Sequence, residues 1–298
     1  VLGCGSMGFA AIRRFASFPS QYTVNAWNRT YAKAERSGGH AYRSAETMVA
    51  ESDVVVIFLG NLEIAKKVVA EIPALSFRDK HVISLVSSNP TQAKDFAEFI
   101  RSEGRDIRSY VDGAYAGAPS TILDGSGLIM ASVDFGDPPS IVSTTLKTLG
   151  KVEFVKGTMG CAKAIDYAIV DMYFANLVFF LNGLGMIEAE GVSSESLLRL
   201  MEYKLPTYTK LFREQMKRID RRDYESSVTA TLRTWLAFFD GRSDWLKHRN
   251  LNTRTIEFAR KLLRDSGACD EVKKLQDAYC IQEILRFNKK KGQFSFLK

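Results

Sequence analysis

The chain has 298 residues, of which 46% are hydrophobic and 25% charged, with a formal net charge of +7. That length suits two domains better than one, and the composition excludes a disordered or fibrous chain. Basic residues stay dispersed until Lys289-Lys290-Lys291, so the excess reads as solvated surface able to steer an anionic ligand, and no nucleic-acid partner is expected.

The chain opens on Val1-Leu2 and runs at once into a glycine-rich turn. A buried strand has about five residues, so the first strand is expected to begin upstream of Val1, and no targeting segment is read from this start. Short β-branched runs then alternate with helical segments, as in a parallel sheet covered by helices. The expected strands are Val1-Leu2, 22–27, 53–59, 81–86, 107–112, 128–132 and 152–155. The run 53–59 carries no polar alternation after Asp53, which suits a strand buried on both faces. Helices are expected over 6–15, 31–37, 63–69, 91–101 and 138–149, with Pro90 and the Pro138-Pro139 pair as helix-start punctuation.

After Gly160 almost every segment reads as helix: one long helix over 161–190, then 194–203, 208–219, 223–239, 253–264 and 270–287. The domains are therefore expected at 1–160 and 161–288, followed by a basic tail at 289–298. The longest apolar stretch, 174–186, is interrupted by Asn176, Asn182 and two glycines. It is short for a bilayer, so a buried helix is expected and no membrane partner. Ile165, Ala168, Ile169, Tyr173, Leu177, Phe180, Leu181 and Leu184 must all be covered, either by the helices that follow or by a second subunit, and a homodimer is expected.

Cys4, Cys161, Cys269 and Cys280 have no metal-ligand spacing, and His40, His81 and His248 are scattered. No metal site is expected, and a reducing, cytoplasmic setting is the default.

Gly3-Cys4-Gly5-Ser6-Met7-Gly8 follows the strand remnant and opens a helix. Gly3 allows the tight turn, Gly5 lets the backbone approach a pyrophosphate, and Gly8 permits close helix packing over phosphate-facing amides. This context makes the first domain an α/β Rossmann-type dinucleotide site, followed by an all-α domain built on a long interdomain helix. The tip of the second strand carries Asn28-Arg29-Thr30 and then Lys33, where an NAD site usually places a carboxylate. Arg29 can fork onto a 2′-phosphate, Thr30 can donate a hydroxyl and Lys33 adds charge, so NADP(H) is favoured over NAD(H). These could equally be plain surface residues. Leu59-Gly60-Asn61 is expected to line the cofactor, and Ser87-Ser88-Asn89 to offer polar groups near the nicotinamide or the substrate, although such residues also simply make turns.

Those motifs, together with Trp27, the stretch Val111-Asp112-Gly113-Ala114-Tyr115-Ala116-Gly117-Ala118-Pro119 and the segment from Gly157 to Asp171, resemble the β-hydroxyacid dehydrogenase superfamily. Its members include 3-hydroxyisobutyrate dehydrogenases and imine reductases or reductive aminases. The resemblance implies an oxidoreductase acting on a small-molecule substrate between a Rossmann domain and a helical domain, usually as an intertwined dimer. The hydroxyacid branch carries a lysine, followed by Asn residues, on the interdomain helix. Here the lysine position falls on Asp166 and the Asn positions fall on Ile169 and Val170, which is similar to the imine reductases.

Asp166 is then implied as proton donor to a C=N bond or as amine anchor, with Lys163 as an alternative lysine in shifted register. The two lie three residues apart on one helix and could also merely pair with each other. Tyr115 is a further catalytic candidate; Tyr167, Asp171, Arg233 and Thr234 are substrate-side candidates, and Trp235, Phe238 and Phe239 read as packing. A hydroxyacid or semialdehyde dehydrogenase and a non-catalytic NADP-binding regulator stand as alternatives.

Overall fold

The computed structural model describes residues 1–102, 104–133, 137–221, 223 and 231–268. The chain divides into two compact units, Val1–Met172 and Tyr173–Lys298.

In the first unit the elements run α1 (Ser6–Ala16), β1 (Asn25–Trp27), α2 (Tyr31–Glu35), β2 (His40–Tyr42), α3 (Ala45–Ala50), β3 (Val54–Ile57), α4 (Leu62–Ala70), β4 (His81–Ser84), α5 (Pro90–Arg101), β5 (Ser109–Ala116), α6 (Pro119–Asp124), β6 (Leu128–Val133), α7 (Ser140–Leu149) and β7 (Lys151–Val155), with one 3-10 turn at Ala74–Phe77. β1 pairs with β2, and the remaining strands follow in the order β3-β4-β5-β6-β7. Leu2 joins the two sets by parallel bridges to Trp27 on one side and Ile57 on the other. Its amide donates to Val56 O and its carbonyl accepts from Phe58 N, both at 2.8 Å. The short N-terminal segment thus lies between β1 and β3 in the sheet.

Alternation along β3 shows how the core is shared. Val55 and Ile57 turn toward Met48, Leu62, Val69 and Phe96 on one side, while Val56 turns toward Ile12, Phe15 and Leu146 on the other. Helices thus cover both faces, which is why the run needed no polar residue. One ladder departs from the expected parallel order. β5 and β6 pair antiparallel, from Val111↔Val133 to Ala116↔Leu128. The six-residue α6 between them is too short for a crossover, so the chain turns back on itself. Four small elements, β2, α3, α6 and the 3-10 turn, were not expected from the sequence, and β1 forms only over the last part of 22–27.

Beyond β7 the helices are α8 (Cys161–Ala189), α9 (Ser194–Arg221), α10 (Leu232–His248) and α11 (Arg254–Ala268). The compact division falls within α8, after Met172, and the first turn of this helix buries Ala162 and Lys163. α9 runs unbroken where two helices were expected, with Pro206 inside it. A proline removes one intrahelical hydrogen bond without ending a helix that is otherwise well formed. α10 begins at Leu232 because the Thr231 side chain accepts from Thr234 N at 3.1 Å and caps it. The α10–α11 pair is laced by Arg260, which reaches Asp240 and Glu257 at 2.6 Å each. The helix expected over 270–287, the tail 289–298, Cys269 and Cys280 lie outside the described residues.

α8 corrects one expectation. It runs 29 residues as expected, about 43 Å at the usual rise, but the burial expected of its apolar stretch is not found. By length and composition it is the one described helix able to cross a membrane, and its most apolar stretch is wholly unburied in the single chain. Tyr173 is 63% exposed and Leu181 55%. Among the described residues, the helices that follow do not cover this face.

Candidate cofactor and active site

The glycine turn sits at the C-terminal ends of the central strands. Gly3 adopts φ +105°, and a Cβ there would lie 2.2 Å from Phe58 O. Gly8 is equally constrained, since its Cβ would meet Gly3 O at 1.9 Å. Gly5 differs: no atom lies within 4 Å of its Cβ position, so nothing in the protein itself demands glycine there. α1 starts immediately after, with Gly5 as N-cap, no capping side chain and no acidic residue in its first turn. Ser6, Met7 and Gly8 therefore leave first-turn amides for an anion to accept. A crowded turn, an open Gly5 and an uncapped helix start together fit a dinucleotide pyrophosphate.

Asn28 serves the turn itself. Its Oδ1 accepts from Cys4 N and its Nδ2 donates to Thr30 O, both at 3.1 Å, so it ties the glycine turn to the tip of β1. Arg29, Thr30 and Lys33 are exposed beyond it. Thr30 is the N-cap of α2 without spending its hydroxyl on the cap, and among the described residues neither Arg29 nor Lys33 has an ion-pair partner. The sequence reading missed Arg43, which follows β2 beside this tip and stacks 4.0 Å over the Tyr31 ring. Asn61 caps α4 through Ile64 N at 2.8 Å, with Leu59 and Gly60 just before it. Asn89 caps α5 in a reciprocal box with Gln92, Ser87 is exposed, and Ser88 Oγ is buried with no hydrogen-bond partner among the described residues.

The start of α8 is fixed from several strands. Ala162 N donates to Ser132 Oγ of β6 at 2.8 Å. Lys163 is 1% exposed; its Nζ donates to Val86 O at 2.7 Å and to Gly113 O at 2.5 Å. It also stands 3.5 Å from Oδ1 of the fully buried Asp112. The ion pair therefore runs to Asp112 and not, as the helix spacing suggested, to Asp166. Burial pushes the Asp112 carboxyl up to about 6, with the Lys163 charge opposing. Burial likewise lowers the Lys163 ammonium, with Asp112 and then Asp166 opposing. Asp166, one turn further on, is half-buried; desolvation raises its carboxyl and Lys163 pulls it back.

Other candidates are placed elsewhere. β5 alternates, so Asp112 and Ala114 face α8 while Tyr115 faces away. The Tyr115 hydroxyl meets Thr121 Oγ1 at 3.1 Å and Leu149 O at 3.4 Å, inside the core under α6 and α7. The structure does not bring Tyr115 to Asp166. Tyr167 and Asp171 are exposed on α8, and Arg233 and Thr234 are exposed in the first turn of α10, in the second unit. A cavity of about 510 Å3 bounded by Tyr22, Asn25, Asp53 and Thr144 opens at the opposite, N-terminal end of the strands, away from the glycine turn. Among the described residues no cluster of metal-ligating side chains occurs.

Residues 1–155 match the family model of the NAD-binding domain of 6-phosphogluconate dehydrogenase. The chain belongs to this family. Residues 158–270 match a second model, the C-terminal domain of NADPH-dependent reductive aminase-like proteins. The chain is thus a nicotinamide-dinucleotide-dependent oxidoreductase with an N-terminal Rossmann domain and a helical second half.

Among characterised proteins it is similar to the NADPH-dependent reductive aminase of Aspergillus oryzae, at 24% identity over 230 residues, 75% of this chain and 76% of that protein. Its fold is similar to that of an imine reductase from Aspergillus terreus in complex with NADPH4 and dibenz[c,e]azepine, with TM-score 0.85, 21% identity, and 95% and 97% of the two chains covered. A reductive aminase from the same fungus, in complex with NADPH and ethyl-5-oxohexanoate, gives TM-score 0.81 at 21% identity over 96% and 98% of the chains.

Within this family member, Asp112 is the site-proximal residue that the sequence reading named only as part of a motif. A lone acid inside an apolar strand was the available signal, because such a group is rarely buried without a cation.

Proposed function

We propose that this chain reduces the C=N bond of an imine or iminium with NADPH, with Asp166 as proton donor or amine anchor. The single observation carrying the proposal is the placement of Asp166: a half-buried carboxyl, raised by desolvation, one turn beyond a lysine that is locked away. NADPH, when bound, supplies hydride to the imine carbon. The residues do the rest. The Asp166 acid form can pass its proton to the nitrogen, and its carboxylate form can hold a cationic amine.

A hydroxyacid dehydrogenase would need a lysine free to exchange a proton with oxygen, and the Lys163 ammonium is committed to two carbonyls and Asp112. The cluster of Arg29, Thr30 and Lys33, uncompensated by any acid, supports a 2′-phosphate and hence NADPH over NADH. The small-molecule complexes of the similar imine reductase and reductive aminase support a small carbonyl or imine substrate here.

We also propose that a second copy of the chain covers the exposed apolar face of α8 in a homodimer. A polar group such as Asp171 along that helix is more readily satisfied against protein than against lipid.

The test follows NADPH oxidation with a cyclic imine and, separately, with an aldehyde-acid substrate. Turnover of the imine is expected, with a loss of at least about 100-fold in Asp166→Asn. Full activity in that variant, or turnover of the aldehyde-acid alone, would refute the proposal.

A further inference from the structure

Lys163 and Asp112 are costly groups to bury, and nothing about binding a dinucleotide requires them. The lysine spends two of its three donors on the carbonyls of Val86, just past β4, and Gly113, within β5. Its charge faces Asp112 Oδ1 at 3.5 Å, and among the described residues no other donor reaches the Asp112 carboxylate within hydrogen-bond distance. All three contacts converge on the first turn of α8. Its neighbour Ala162 is tied to Ser132, and the chain just before it presses on Pro90, where a Cβ on Gly160 would lie 2.5 Å from the carbonyl. The next residue on the same helix face is Asp166, which takes no part in the ion pair.

We propose that the Lys163–Asp112 pair is a positioning device for Asp166: clamped between the end of β4 and the middle of β5, it fixes the rotation of α8 and holds a partly neutralised positive charge beneath the Asp166 carboxyl. The role deepens the proposed function and rests on Asp166 as its acid. Without Lys163 the helix loses its bolts to β4 and β5, and Asp166 loses the cation that offsets its burial. Without the Asp112 charge, the lysine acts on Asp166 undiminished. The charged and titratable groups coupled in this line are Arg101, whose guanidinium lies 5.7 Å from the Tyr110 ring, then the neutral Tyr110 phenol, Asp112, Lys163 and Asp166. The burial of Asp166 and the pull of Lys163 upon it already oppose each other in the intact chain.

The two single charge removals should therefore move the Asp166 carboxyl in opposite directions, which local damage to packing would not do. The experiment is a carbon-13 NMR titration of aspartate carboxyls in the full chain, with and without NADPH, and with the Asp166 signal assigned by its loss in Asp166→Asn. Lys163→Met should raise the Asp166 midpoint and Asp112→Asn should lower it, each by about 1 pH unit. The double variant, which leaves no buried charge unpaired, should follow Lys163→Met, and serves in its place if the single variant does not fold. The acid-requiring limb of the pH profile for imine reduction should move with these midpoints. Midpoints that stay put, or move together in one direction, in folded NADPH-binding protein would overturn the positioning role. Opposite shifts accompanied by full activity in Asp166→Asn would instead remove Asp166 from the chemistry and leave the electrostatic coupling standing.

Discussion

Gly5 and Gly8 sit three residues apart in one turn, yet replacing each by alanine should do opposite things. At Gly5 the backbone has φ −72° and ψ −176°, open to any residue, and the added methyl would touch nothing within 4 Å. Folding stability should therefore hold, or rise by about 0.4–1 kcal/mol through the stiffer unfolded chain. The cofactor should feel the methyl instead. Blocking one close backbone approach to a pyrophosphate removes a charge-assisted hydrogen bond of about 1.5–3 kcal/mol, so the NADPH Kd should weaken by about 10- to 100-fold.

At Gly8 the methyl would stand 1.9 Å from Gly3 O and 3.2 Å from Phe58 Cβ. Ordinary contact needs about 1.5 Å more, which the start of α1 or the Gly3 turn must supply by moving. Such overpacking costs about 1–3 kcal/mol and here strikes backbone, not a yielding side chain. Urea unfolding of the cofactor-free variants, beside calorimetric titration with NADPH, separates the two effects. A folded Gly5→Ala that binds NADPH as tightly as the parent would refute the pyrophosphate placement, and a Gly8→Ala of unchanged stability would refute the packing.

Other consequences are as direct. Arg29→Ala should weaken NADPH by about 10-fold while leaving NADH unchanged, because only the 2′-phosphate distinguishes them; equal losses for both dinucleotides in steady-state kinetics would count against a 2′-phosphate contact. Asp112 carries a carboxyl raised from 3.8 to about 6 in the folded chain. The native state thus binds the extra proton between those values, and stability from this group falls as pH rises from about 4 to about 6, by up to about 3 kcal/mol. Asp112→Asn should remove that decline, which urea midpoints measured across the range will show; a decline that persists unchanged places its origin elsewhere. Lys163→Met, which strands Asp112 without its cation, should cost about 3–5 kcal/mol at neutral pH, part of it recovered in the double variant with Asp112→Asn. Leu181→Glu, placed on the exposed face of α8, should turn a dimer into a monomer by analytical ultracentrifugation; a parent chain already monomeric would sink the homodimer.

Much of this molecule was legible in one dimension. The glycine turn, the acid-free tip of β1 and the change to helix near Gly160 follow from local chemistry: allowed backbone angles, the charge of neighbouring side chains, and the period of apolar residues. Each needs only a few adjacent positions, so each survives without knowledge of the fold.

What adjacency could not reveal is which distant group meets a buried one. Helix spacing offered Asp166 to Lys163, but the ammonium instead lies between Val86, Gly113 and Asp112, which the sheet brings beneath the first turn of α8. A one-residue alternation on β5 sends Tyr115 into the opposite core from Asp112, and no composition records on which side a strand lies. The apolar surface of α8 is plain in the sequence, yet only the packed chain shows it uncovered. Charge and hydrophobicity belong to residues, whereas burial belongs to the fold, and the chemistry of this site depends on burial.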